Sequence, residues 1–225
     1  MPHSSNAHSI EFQTSDIRRA SIANHISVLT DIYQEDVNIA VWQNQLSSDV
    51  LKNIATVMLE KARLHIKISV TPNDVVEELL VSAPQLEGQK ALCDYIELLV
   101  DMFCTLFELK GVGLRLAILD QAMCPKFHVD KVPCRLVTTL SGIGTQWLPD
   151  DQVDRSKLGA GSLGLPDKTS GIVQNQTNIK NMSAGDVSLL KGEGWYNNEN
   201  RGAVHRSPAL SSHERRLLLT LDFIE

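Results

Sequence analysis

Nothing in this 225-residue chain approaches the roughly 18 consecutive apolar residues that a membrane-crossing helix needs. Its polar start, MPHSSNAHSIEFQ, also lacks a basic segment leading into an apolar one. Neither a membrane span nor a secretory leader is expected, and the cytoplasm is the default compartment. Cysteine is scarce: Cys93, Cys104, Cys124 and Cys134 lie ten or more residues apart, which fits neither a zinc-ribbon ligand set nor a redox CxxC pair. All four are expected to be reduced and mostly buried. Cations are not in excess either. The 21 Lys and Arg face 27 Asp and Glu, and no basic run is interleaved with aromatics, so no extensive nucleic-acid surface is expected. Phosphate and dinucleotide loops are missing too: GVG at 111–113 falls short of GxGxxG, and GAGSLG at 159–164 is followed by Pro166 rather than by a helix. What remains is an ordinary folded composition, 43% hydrophobic and 21% charged, long enough for one large domain or a small domain with an appendage.

The first 15 residues are polar and aperiodic and read as a flexible tail, and the apolar positions from Ile17 to Val41 settle into no single period. A helix follows, capped by Ser47 or Ser48, with Leu51, Ile54, Val57, Met58 and Ala62 on one stripe. Thr71-Pro72-Asn73-Asp74 opens a second helix, buried through Val75, Val76, Leu79 and Leu80. A third carries Leu92, Ile96, Leu99, Phe103 and Leu106, continues to Lys110 and is expected to stop at Gly111 in a left-handed cap. Residues 16–110 therefore read as mainly helical. Beyond Gly111 the runs VGLRLAILD, CRLVTTL, DVSLLKG and RRLLLTLDF, separated by Gly, Pro, Asn and Asp, read as strands. Helices followed by strands argue for an α+β fold, a helical layer on a sheet or two small domains, rather than alternating βαβ units. The polar, glycine-rich stretch 150–185 has few evident apolar anchors and is expected to be a mobile lid or a disordered loop.

Chemistry concentrates in the second half. In FHVDKVPC, His128 and Asp130 are two residues apart, so in an extended segment they point the same way. A third ligand is available at His205 in GAVHRSP, with His213 in the following turn as its rival. Two imidazoles and a carboxylate suit a non-haem ferrous ion with open positions, and equally a catalytic zinc with a bound water. The zinc reading needs a general base, for which Glu193 and Glu199 in the distal loop are candidates that no spacing singles out. On the last strand Arg216 shares a face with Leu218, Thr220 and Asp222, while Arg215 shares the more apolar face with Leu217, Leu219 and Leu221. The apolar face should meet the helices, which leaves Arg216 and Thr220 in the lumen of a barrel, where a guanidinium fork would clamp a dicarboxylate. Arg135, on the strand after HxD, is a further cofactor-binding candidate, and Trp147 and Trp195 are candidate pocket walls.

The order HxD (His128, Asp130), long loop, GDVSLLKG, GAVHRSP with His205, and RRLLLTLDF resembles the double-stranded β-helix, a jelly-roll or cupin-like barrel, of iron- and 2-oxoglutarate-dependent dioxygenases over residues 111–225. The fuller pattern FHVDKVPCRLVTTLSGIGTQWLPD with GAVHRSPALSSHERRLLLTLDF is similar to a bacterial family known as domain of unknown function 1826. The first resemblance implies His128, Asp130 and His205 as ligands of Fe(II). It also implies an arginine of the last strand, Arg216 by face or Arg215 by spacing, as the partner of 2-oxoglutarate. It leaves open the small-molecule or peptide substrate. Two other readings use the same residues: a zinc hydrolase, and a non-enzymatic protein that binds a metal or a small acid.

Overall fold

The computed structural model describes residues 17–59 and 63–224. The expected tail at 1–15 and the stripe position Ala62 lie outside them. Among the described residues ten strands form two sheets. In chain order they are β1 (Arg19–Ala23), β2 (Val37–Trp42), β3 (His65–Val70), β4 (Val112–Leu119), β5 (Cys134–Ser141), β6 (Gln146–Trp147), β7 (Lys180–Asn181), β8 (Val187–Lys191), β9 (His205–Arg206) and β10 (Arg216–Phe223). The large sheet runs β1-β2-β8-β5-β10-β4-β3 and is mixed, because β1 and β2 are parallel and every other pair is antiparallel. The small sheet runs β7-β6-β9. The two do not pair edge to edge into a closed barrel among the described residues. The strands of the small sheet are only two residues long, too short to carry a continuous ladder around the structure.

Three helices, α1 (Ser48–Leu59), α2 (Val75–Ser82) and α3 (Lys90–Phe107), cover one face of the large sheet. Ser47 caps α1, its Oγ accepting from the Val50 amide at 3.3 Å. Val50, Ile54 and Val57 are the residues α1 buries, whereas Leu51, expected on that stripe, is half exposed. At the N-terminus of α2 the Asp74 carboxylate turns back to accept from the Thr71 amide at 2.6 Å, and the helix buries Val75 and Leu79. The face of α3 bearing Leu92, Ile96, Leu99 and Phe103 is fully buried and meets Leu217, Leu219 and Leu221 of β10 in one core.

Three expectations need correction. The helix α3 ends at Phe107, not Lys110, because Glu108 takes the left-handed conformation (φ 54°) and its amide turns back to Cys104 and Thr105. Gly111 serves a different purpose: a Cβ there would lie 2.7 Å from the Val70 carbonyl, so glycine lets β4 start tight against β3. The region before Gly111, expected to be mainly helical, contributes β1, β2 and β3 to the large sheet as well as the helices. In β3, HIKISV, the alternation of exposed and buried positions is the period-two signal of a half-buried strand. Finally, the 150–185 stretch is not poor in anchors. Ile172 and Val173 are buried with Phe127, Leu148 and Val204, and Asp167 accepts from the Phe127 amide at 2.9 Å, so the stretch folds over the segment that leads into HxD.

Candidate metal centre

A single backbone pairing assembles the site. His128 and His205, 77 positions apart in sequence, form an antiparallel bridge in which each amide donates to the other's carbonyl at 3.0 Å. Directly paired residues project to the same face, so the two imidazoles meet with ring centroids 4.5 Å apart. Asp130 follows His128 by two residues and returns to that face. Its Oδ2 lies 3.5 Å from His205 Nε2 and its Oδ1 3.8 Å from His128 Nε2. The three ligand atoms all lie within 4.8 Å of one another. Three donors this close together could serve one ion.

Protonation is set by the backbone. Nδ1 of His128 faces the Lys126 carbonyl at 2.9 Å and Nδ1 of His205 faces the Ala203 carbonyl at 3.1 Å. A carbonyl can only accept, so each ring carries a proton on Nδ1, and Nε2 is the nitrogen turned toward Asp130. Burial pushes the His205 imidazole down to about 4, more than the nearby Asp130 carboxylate raises it, so at neutral pH the ring is uncharged and able to ligate. Asp130 is held in place by Arg135, whose Nη1 donates to both carboxylate oxygens at 2.9 Å. Arg135 in turn lies directly across from Asp222 on β10 and donates to it through Nε at 2.6 Å and Nη2 at 3.1 Å. Arg135 is thus saturated by two carboxylates and positions Asp130.

The cavity in front of the imidazoles is lined by Arg115, Val137, Thr145, Arg206, Leu218 and Thr220, among others. Behind Thr145 lies Arg216, fully buried, whose Nη2 donates to Thr139 Oγ at 2.8 Å and Thr145 Oγ at 3.0 Å. Its Nε and Nη1 have no hydrogen-bond partner, and no carboxylate pairs with it among the described residues. Burial lowers its guanidinium to about 10, still charged at neutral pH. The SGIGT turn makes this arrangement accessible. Gly142 sits at φ 90°, where a Cβ would come within 2.4 Å of the Arg215 carbonyl, and the turn carries the chain from β5 to Thr145 beside Arg216.

The other sequence candidates fall elsewhere. Arg215 points to the helical side and donates to the Met58 carbonyl of α1. His213 is exposed in its turn, outside the cluster of His128, Asp130 and His205. Trp147, on β6 of the small sheet, is buried in a cluster with Val137 and Leu218, and Trp195 packs on Tyr33 and Phe107; neither is among the residues lining the cavity. Glu193 is tied to Lys131, and Glu199 is exposed on a separate cleft. Reading by spacing missed Asp222 as the second anchor of Arg135. It also missed Asp167, which accepts from Arg206 Nη1 at 2.8 Å and so ties the 150–185 segment to the cavity wall. Both depend on pairings between distant segments, for which neither residue carries a local signal.

Among solved structures the chain is similar to AviO1 from Streptomyces viridochromogenes (14% identity over 89% of this chain and 96% of that one, TM-score 0.45). It is also similar to iron-bound HygX from Streptomyces hygroscopicus (11% identity, 89% and 87% covered, TM-score 0.46). An oxidoreductase of the 2OG-Fe(II) oxygenase family from Burkholderia pseudomallei matches at 9% identity, with 91% and 93% covered and a TM-score of 0.45. A comparison with curated proteins finds none that matches. The family model described as protein of unknown function (DUF1826) matches residues 23–222, nearly the whole chain, and the protein belongs to that family.

Proposed function

We propose that this protein is a non-haem Fe(II)- and 2-oxoglutarate-dependent oxygenase whose two sheets are the two halves of a double-stranded β-helix. The observation that supports the reading most is the pairing of two features on one cavity. A His/carboxylate/His set offers three donors to one ion. A fully buried arginine with two unpaired nitrogens lies one threonine away from that cavity. A buried, unpartnered guanidinium is costly, by several kcal/mol, and its natural complement is a carboxylate taken in with the cosubstrate. His128, Asp130 and His205 would hold the iron, and Arg216 with Thr139 and Thr145 would hold the far carboxylate of the 2-oxo acid. Bound iron supplies dioxygen activation coupled to oxidative decarboxylation of the 2-oxo acid.

The chain's own residues do the rest. Lys126 and Ala203 carbonyls fix the imidazole protons, Arg135 fixes Asp130, and Val137 and Leu218 line the cavity with apolar surface. Asp130 and Asp222 are committed to Arg135, and Asp167 to Arg206. That leaves no free acid to act as the general base of a zinc hydrolase among the residues lining the cavity, which favours the oxygenase reading over its zinc rival.

Anaerobic metal analysis tests the ligand set. The wild type should retain about one ferrous ion per chain, and His128→Ala, Asp130→Ala and His205→Ala should each lose it. Full stoichiometry in all three variants would place the metal elsewhere.

A further inference from the structure

A second cleft, sharing no lining residue with the metal cavity, is built between the start of β1, the end of β8 and the loop after it. Its cavity volume is about 270 Å³. Two of its lining residues are cations withdrawn from water: Lys191, 2% exposed, and Arg18, 5% exposed. Neither makes an ion pair among the described residues. The Lys191 ammonium donates to the Gln34 carbonyl at 2.9 Å and lies 4.8 Å from the centre of the Trp195 ring. Arg18 is anchored by its backbone, its amide donating to Asp150 at 2.8 Å, while its Nε has no hydrogen-bond partner. Asp36 is engaged by Arg19 at 2.6 Å, and Glu35 sits exposed at the rim. Burial, with Arg18 acting in the same direction, draws the Lys191 ammonium down to about 8.

Two buried cations lining one cleft, neither of them ion-paired among the described residues, are unfavourable unless an anion joins them. The walls specify more. Trp195 and Tyr33 meet edge to face with centroids 5.5 Å apart, and Tyr196, 86% exposed, stands at the rim and makes no ring contact among the described residues. A small cavity with cationic groups and aromatic walls selects a compact ligand with an acidic group and a flat ring, because stacking and charge pairing are then satisfied together.

We propose that this cleft is a second ligand site, separate from the metal centre, that takes a small aromatic anion with its carboxylate or phosphate between Arg18 and Lys191. The ring lies against Trp195 and Tyr196.

Titration of the full chain with benzoate and with phenyl phosphate, followed by tryptophan fluorescence, tests this. A Trp195→Phe variant identifies the reporting ring. Saturable binding of at least one probe in the millimolar range or tighter is expected, the preferred probe distinguishing a carboxylate site from a phosphate site. Cyclohexanecarboxylate should bind at least several-fold more weakly than benzoate if the ring stacks. Lys191→Met and Arg18→Gln should each weaken binding by about tenfold or more, the loss typical of one charge-assisted contact. Lys191→Arg should keep it, which separates loss of charge from misfolding, and His205→Ala should leave it unchanged. No saturable response to either probe in the wild type would overturn the proposal. So would binding that appears only in a Glu11→Gln, Asp16→Asn double variant, since the cations would then serve the chain's own carboxylates.

Discussion

On β10, Leu217, Leu219 and Leu221 are separated from Arg216, Leu218, Thr220 and Asp222 only by the thickness of one strand, yet the two faces are built by different rules. The leucine face is dry and apolar and closes on α3 through Phe103, with Leu114, Leu136 and Leu189 of the neighbouring strands alongside. The opposite face carries a buried arginine without an ionic partner, a threonine at the cavity and an aspartate locked to Arg135. Arg216, Leu218 and Thr220 are nearly as buried as the leucines. A fold needs only the first face, and buried charge on the second is retained at the expense of stability. The comparison therefore separates what holds the protein together from what it holds.

Variants on the two faces should fail differently. The largest effect on stability is expected from Phe103→Ala, which removes a fully buried ring from the helix-facing core and should cost about 3–5 kcal/mol in denaturant unfolding. The surviving folded fraction should bind iron normally. If instead iron affinity falls in proportion, the faces are not independent. On the other face, Arg135→Leu deletes the group that orients Asp130 and should weaken metal binding about 10- to 100-fold, as for other outer-sphere partners of metal ligands, measurable by competition with a chelator.

A smaller effect should appear with pH in the metal-free chain. Because burial holds His205 at about 4 against an ordinary 6.5, the unfolded chain takes up a proton that the folded one refuses in between. The stability associated with His205 is thus fully present above pH 6.5 and is lost as pH falls toward 4. Melting temperature should decline across that window, and the decline should be shallower in His205→Asn. Equal slopes in the two proteins would mean that the imidazole is not held neutral.

How far the sequence could be read follows the same division. Periodicity is local, so α3 and the alternation of β10 were legible, including which of two adjacent arginines turns away from the helices. HxD was legible for the same reason, since residues two apart in an extended segment share a face. Pairings between distant segments were not. Nothing local to Arg135 reveals that Asp222 stands opposite it, and nothing in Asp167 reveals that it receives both the Phe127 amide and Arg206. The strand HIKISV does alternate, but its six residues lie between two longer helical periodicities that mask it. Closure of the α3 terminus by Glu108 rather than by a glycine overrides a backbone preference, and such exceptions are decided by tertiary packing.

Titration of the anaerobic ferrous protein with 2-oxoglutarate, followed by the visible charge-transfer band of a chelated 2-oxo acid, tests the central claim most directly. The wild type should develop the band. Arg216→Met should keep its iron and lose cosubstrate affinity by about 30-fold or more, the loss expected when one partner of a buried charge pair is removed. Arg215→Ala, altered on the helical side, should titrate like the wild type. An iron-replete wild type with no band at millimolar 2-oxoglutarate, or an Arg216→Met variant that binds it as the wild type does, would contradict the account.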